Sequence, residues 1–351
     1  MFAAFLLGLT TGCFDPPPGP VEEPSAEPPQ AAARTVSEPA GDVLPPDDFE
    51  PVRGAGSPPA DAEGWERDVT GPWNQGLRLA WSDDGLAFEA SGEWIADQSG
   101  APGLAIDGSG RLLASYVAWQ DGENFTAVAV RAAPGDWRYY RLKLEGEHGE
   151  RHNVADPETV ALPDGGFRMY YMTGLDGRPA FFSATSDDGR SWVQEAGVRY
   201  APEDAVHAPS VVALDGGWWL YAGPAAGHAA YAPDGLSFAR EGGMKVQGTD
   251  YFEVHSVVGL SDGRLRAYGS TAPGKLGSAV SADGRSWTLE GGSRWPHGDG
   301  FEGIGDVAVV RGDGGWWMVY SEALGTTSSS VDRQPSPRSK SPRRAKAGAV
   351  R

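Results

Sequence analysis

Short apolar runs, Asp/Gly turns and aromatic-rich runs follow one another along the middle of the chain, and the pattern repeats. ADPETVALPDGGFRMYY (155–171), HAPSVVALDGGWWLYA (207–222), EVHSVVGLSDGRLRAYG (253–269) and GDVAVVRGDGGWWMVYS (305–321) share it, and APGLAIDGSGRLLASYV (101–117) is a weaker copy. In each, an apolar strand enters a tight turn and leaves it as a strand of alternating aromatic residues, which predicts a β-hairpin. The turn glycines Gly110, Gly166, Gly217, Gly263 and Gly315 recur every 46 to 56 residues.

A second phrase falls between the hairpins. It reads SDDGRSW at Ser186, APDGLSF at Ala232 and SADGRSW at Ser281, with a degraded version, PGDWRYY, at 134–140. A unit of about 50 residues with four short strands is a propeller blade, so five hairpins predict an all-β, five-bladed β-propeller. A further copy, SDDGLAF at Ser82, precedes the first hairpin, and the fifth hairpin is followed by none. The strands GLRLAWS (76–82) and LAFEASG (86–92) are therefore predicted to complete the last blade, closing the ring with both ends of the domain and removing its open edges.

Composition agrees with an all-β chain: 351 residues carry 50 Gly, 28 Pro and 36 aromatic side chains. The formal net charge is −19, although the stretch after Glu322 carries seven Lys/Arg and one Asp, so the body is more acidic still. Such a surface repels phosphates, and a nucleic-acid partner is not expected. Residues 14–63 are rich in proline and acidic residues with few large apolar side chains, a composition predicted to form a disordered tether. The propeller is placed at 64–323, and the basic stretch 324–351 is predicted to be a disordered tail.

The opening MFAAFLLGLTTGC is a short apolar run ending in small residues before Cys13, the sole cysteine. It resembles a bacterial lipoprotein signal peptide (1–13), which implies acylation of Cys13, attachment to the membrane by lipid alone and a place in the cell envelope facing periplasm or exterior. One cysteine forms no intrachain disulfide, and six scattered histidines show no metal-binding spacing, so no metal or cofactor is expected.

SADGRSW resembles the Asp-box of sialidases and related propellers. The resemblance implies a peripheral turn, with the carboxylate bonding backbone N–H groups and the glycine taking positive φ, so Asp84, Asp188, Asp234 and Asp283 are not expected to be catalytic. The aromatic positions Phe88, Trp192, Phe238 and Trp287 are expected to pack between sheets. In the pairs Trp218-Trp219 and Trp316-Trp317, alternation sends one member into that packing.

Chemistry is expected where the innermost strands meet around the axis. Counted back from their turns, the hairpins put Ala101, Asp156, Ala208, Val254 and Asp306 at one station, with His207 and Glu253 just before it and Glu302 further upstream. Glycoside hydrolysis commonly uses two carboxylates, and crowding splits their pKa values into acid and base roles. Asp156, Glu253 and Asp306 are the catalytic candidates, Asp156 as base or pKa modulator and Glu253 as proton donor. His207, His255, Glu302 and Asp97 are the candidate substrate-binding residues.

The region 72–322 resembles the five-bladed glycosidases of the arabinanase and xylosidase type (glycoside hydrolase family 43), DPETVALPDGGFRMYY most closely. Those enzymes present an Asp, an Asp and a Glu from their first three blades. Asp156 fits the second; the first station is Ala101, with Asp97 upstream, and the third is Ala208, with Glu203 and Asp204 upstream. The arginine triad and Tyr-Glu pair of a sialidase proper have no counterparts here. The chain therefore predicts a monomeric, surface-anchored glycoside hydrolase acting on extracellular glycans, or a non-catalytic glycan- or protein-binding propeller.

Overall fold

The middle strands are buried in continuous runs, such as residues 112–119, because each sheet must bury both faces against its neighbours. The structure, a computed structural model, describes residues 44–58, 71–149, 154–204, 206–223, 227–272, 275–295 and 304–324. Cys13, Glu302, most of the expected tether and all but the first residue of the expected tail lie outside the described residues.

Five antiparallel sheets make up five blades. Blade I holds β3 (Ser99–Ile106), β4 (Leu112–Gln120), β5 (Glu123–Ala133) and β6 (Asp136–Arg141), from the axis outward. Blade II holds β8 (Ala155–Ala161), β9 (Phe167–Leu175), β10 (Arg178–Ser186) and β11 (Ser191–Gln194); blade III holds β12 (His207–Leu214), β13 (Gly217–Gly223), β14 (His228–Ala232) and β15 (Ala239–Gly242). Blade IV holds β17 (Glu253–Gly259), β18 (Leu265–Ala272), β19 (Lys275–Ser281) and β20 (Ser286–Leu289). Blades II and IV also gain a parallel outer strand, β7 (Lys143–Glu145) and β16 (Lys245–Gln247) respectively.

Blade V is assembled from both ends of the domain. Its inner strands are β21 (Ile304–Gly312) and β22 (Gly315–Ala323); its outer ones are β1 (Gln75–Ser82) and β2 (Glu89–Asp97), with Leu77 opposite Ser321 and Trp81 opposite Trp317. The closure predicted from the unpaired SDDGLAF copy is the observed one.

The core is divided into five clusters, one per blade interface. Between blades III and IV, for instance, Trp219 and Tyr221 meet Val257, Leu265 and Trp287. Of the Trp pairs, Trp219 and Trp316 are buried, while Trp218 and Trp317 stay half-exposed.

The heptapeptides form the turns between the third and fourth strands. Asp188 Oδ1 accepts the N–H groups of Arg190 and Ser191 at 2.8 and 2.9 Å, and Asp283 does the same for Arg285 and Ser286. Gly189 and Gly284 hold φ of 74° and 71°, the left-handed region that a side chain resists. The glycine carbonyls are also joints between blades: Tyr170 donates its hydroxyl to Gly235, Tyr221 to Gly284 and Tyr268 to Gly85.

Residues 44–58 correct the expected tether, since they lie against blade I. Asp48 N–H donates to the Tyr139 carbonyl, Asp47 accepts the Tyr139 N–H at 2.7 Å, and Phe49 packs edge-on against Phe125. Arg53 lies 3.4 Å over the Trp94 ring, and Gly54 N–H donates to Asp97. The outermost strand of blade I offers unpaired groups that this strap covers, and a few isolated anchors suffice to order a proline-rich stretch along it.

Candidate active site

Each inner strand carries one extra residue near its start. The pairing skips between Gly100 and Gly103, Ala155 and Glu158, His207 and Ser210, Val254 and Ser256, and Ile304 and Val307. In three blades the bulge is an X-Pro pair: Ala101-Pro102, Asp156-Pro157 and Ala208-Pro209. Proline cannot donate to the ladder, so it sits naturally where pairing is broken. The residue before each is left-handed, with φ of 50°, 48° and 48°. For residues with a Cβ this costs on the order of 1 kcal/mol or more each, and such strain gathers at functional sites.

The bulges turn side chains toward the axis, where Asp156, Glu158, His255 and Asp306 line a small, partly open pocket together with the three prolines. Counting from the turns puts Asp306 level with Val254. The observed register puts it level with His255, because Ser256 and Val307 are the first paired residues beyond the bulge in their blades.

The three carboxyls are in different electrostatic states. Burial pushes Asp156 above its ordinary value, partly offset by the Ala208 N–H that donates to it at 2.8 Å; the Asp306 charge raises it further and His207 lowers it. Burial also pushes Glu158 up, to about 8, with the Val211 N–H and the Ser210 hydroxyl pulling it back only in part. Asp306 is held below its ordinary value: burial acts to raise it, but a hydrogen bond from His255 and the charges of His255 and His207 prevail. His255 Nδ1 lies 3.2 Å from Asp306 Oδ1, and its Nε2 lies 2.8 Å from Ser270 Oγ. This Ser-His-Asp line runs with its carboxylate at the pocket end, where Asp306 is 43% exposed while the His255 side chain is 8% exposed. The arrangement fixes the carboxylate in place rather than activating the serine.

Glu158 also occupies a structural position in the ring. Ser210 and Ser256, its equivalents, accept the N–H groups of Val257 and Val309 in the next blade, as Glu158 accepts that of Val211. A carboxyl in place of a small hydroxyl brings an ionisable group to the axis.

Of the candidates from sequence, Asp156, Asp306 and His255 meet in the pocket. His207 stands beside them, close enough for its charge to act on both aspartates. Glu253 does not line the pocket; it accepts the Tyr251 hydroxyl at 2.6 Å. Asp97 is engaged elsewhere, bonded to Arg78, the Trp94 indole N–H and the Gly54 N–H. Glu158 was not among the candidates, and its signal lay in the equivalence to Ser210 and Ser256. Among the described residues, no group of three or more His, Cys, Asp or Glu is arranged to hold a metal ion.

The heptapeptide aspartates lie at the other end of the molecule. The inner strands start at the pocket and run away from it, the second strands return, and the third strands run out again into the heptapeptide turns. Asp84, Asp188, Asp234 and Asp283 thus sit on the face opposite the pocket mouth.

No protein-family description matches the sequence, and no curated protein matches it. Solved structures do match the fold. A glycosyl hydrolase from Bacteroides ovatus aligns with a TM-score of 0.50 at 15% identity, over 78% of this chain and 92% of that one. A protein of the GH130 family of mannoside phosphorylases and β-1,2-mannoside hydrolases aligns at 0.45 and 14% identity, over 63% and 83% of the two chains. A GH32 β-fructofuranosidase from Bombyx mori aligns at 0.48 and 14%, over 62% and 54%. The likeness at this identity is one of fold, a propeller architecture whose structural neighbours include glycoside hydrolases.

Proposed function

We propose that the protein is a glycoside hydrolase that takes the end of an uncharged glycan into the axial pocket. Glu158, protonated at neutral pH, is the general acid toward the glycosidic oxygen. Asp306, ionised and braced by His255, acts on the opposite side of the reacting carbon as base or nucleophile. Asp156, tied to the Ala208 N–H, tunes the charge between them. The observation that carries this reading is the opposite displacement of Glu158 and Asp306 within one pocket, the division that acid and base catalysis requires.

A kinship with family 43 enzymes, the Asp-box identity of the heptapeptide and a lipid anchor on Cys13 belong to the same proposal, as does action on extracellular glycans as a monomer. They rest on the sequence motifs quoted above.

The test is turnover of a panel of nitrophenyl glycosides and polysaccharides. Glu158→Gln and Asp306→Asn should each lower kcat/KM at least about a hundredfold while the protein stays folded. Equal activity in either variant removes that residue from the chemistry. A wild-type protein that binds glycans without cleaving any supports the non-catalytic alternative, which the alanines at the stations of blades I and III favour.

A further inference from the structure

The axial pocket is small and open at its mouth, and three prolines crowd its wall, so it can enclose no more than the end of a glycan. The remainder of a longer glycan must lie on the surface around its mouth. On that surface blade IV offers a feature that the axial chemistry does not use. Tyr251 is 38% exposed, the one aromatic side chain among the described residues exposed to more than a third. An exposed aromatic needs a reason when it is also held still, and this one is held twice. Thr249 Oγ1 donates to the Tyr251 carbonyl and accepts its N–H, and the Tyr251 hydroxyl donates to Glu253 Oε2.

The placement is specific. Glu253 pairs with Ser270, whose hydroxyl also meets His255 Nε2 at 2.8 Å, so Glu253 and His255 face the same side of the sheet. His255 lines the pocket, and Glu253, at the start of β17, lies beyond it toward the rim. A ring bound beside the pocket would meet the Tyr251 face and the second carboxylate oxygen of Glu253 together.

We infer that Tyr251 and Glu253 form a second sugar-binding position at the pocket rim, for the residue next to the one held on the axis. The apolar C–H face of a pyranose or furanose stacks on the tyrosine ring, and its hydroxyl edge donates to the carboxylate. The carboxylate disfavours acidic sugars, so the ligand class is a neutral oligosaccharide of at least two residues. Donation to Glu253 keeps the Tyr251 hydroxyl protonated, pushed up to about 12, and fixes the ring plane before ligand arrives. This inference rests on the glycan reading of the axial pocket.

The test uses the full chain on an array of neutral mono- to pentasaccharides, followed by calorimetry with the members that bind. The wild type should bind trisaccharide more tightly than monosaccharide. Tyr251→Ala should weaken the trisaccharide about tenfold and leave the monosaccharide within about twofold. Tyr251→Phe, which keeps the ring and releases Glu253, should fall between. A trisaccharide-to-monosaccharide ratio unchanged in Tyr251→Ala overturns the rim position and leaves the axial reading standing, whereas a wild type that binds no member of the panel overturns both.

Discussion

The hydroxyl of Tyr268 lies 2.7 Å from the carbonyl oxygen of Gly85, joining residues 183 positions apart. It ties the second strand of blade IV to the turn between β1 and β2, and both partners are buried. Tyr268→Phe removes the nearer of that carbonyl's two donors, leaving Arg266 Nη1 at 3.5 Å, and should cost about 1 kcal/mol of stability, read from denaturant unfolding. Tyr170→Phe and Tyr221→Phe remove the equivalent joints at other interfaces, so the three losses should add.

Asp283 and Asp306 should behave as opposites. Asp283→Ala removes the acceptor of two backbone N–H groups in a turn, so it should lower stability by about 1–2 kcal/mol and leave kcat/KM unchanged. Asp306→Asn should abolish turnover, at a cost in stability limited to its partnership with His255. Parallel melting curves and kinetics on the two variants distinguish a turn aspartate from a pocket one.

Glu158 predicts a pH dependence of defined sign. Its pKa rises from 4.5 to about 8 on folding, so between those values the folded state holds a proton that the unfolded state has lost. Its contribution to stability therefore declines as pH rises from about 4.5 and levels off above about 8. Glu158→Gln should flatten that part of the profile in urea titrations at pH 5, 6.5 and 8. In the wild type, kcat/KM should fall as pH passes about 8, where the acid loses its proton.

Asp97→Ala should loosen the strap. It removes the acceptor for Gly54 N–H and the Trp94 indole and one of the two carboxylates on Arg78. Limited proteolysis should then cut within 44–58 at least about tenfold faster, since each 1.4 kcal/mol lost from local closure raises the open population tenfold. An unchanged digestion rate would mean that Phe49 and Arg53 hold the strap without it.

The blade count and ring closure were legible because turn glycines and heptapeptides mark the ends of strands, and those ends recur at a near-constant interval. The pocket was legible in part. Asp156 stands out as an acid beside a proline at the mouth of a strand. Asp306 was found but placed one residue off, because each inner strand carries a bulge and counting from the turn assumes an unbroken ladder. Glu158 sits in ETVAL and looks like an ordinary strand position until the bulge turns it to the axis. The same count makes Glu253 axial, but it lies further out along β17 than the pocket-lining His255. The strap escaped notice since Phe49 and Arg53 are single anchors in a proline-rich stretch, and what they grip is an edge that only the folded sheet creates.

The make-up of blade V dictates an order of events during synthesis. Strands β1 and β2 leave the ribosome first, and their partner β22 is among the last parts of the propeller to be made. Until it arrives, an incomplete disc presents bare strand borders at both limits of the chain produced so far, the kind of surface on which nascent proteins stick to each other. A ribosome stalled before Trp316 would hold a sticky crescent, and chaperone demand should peak just before translation of the propeller ends.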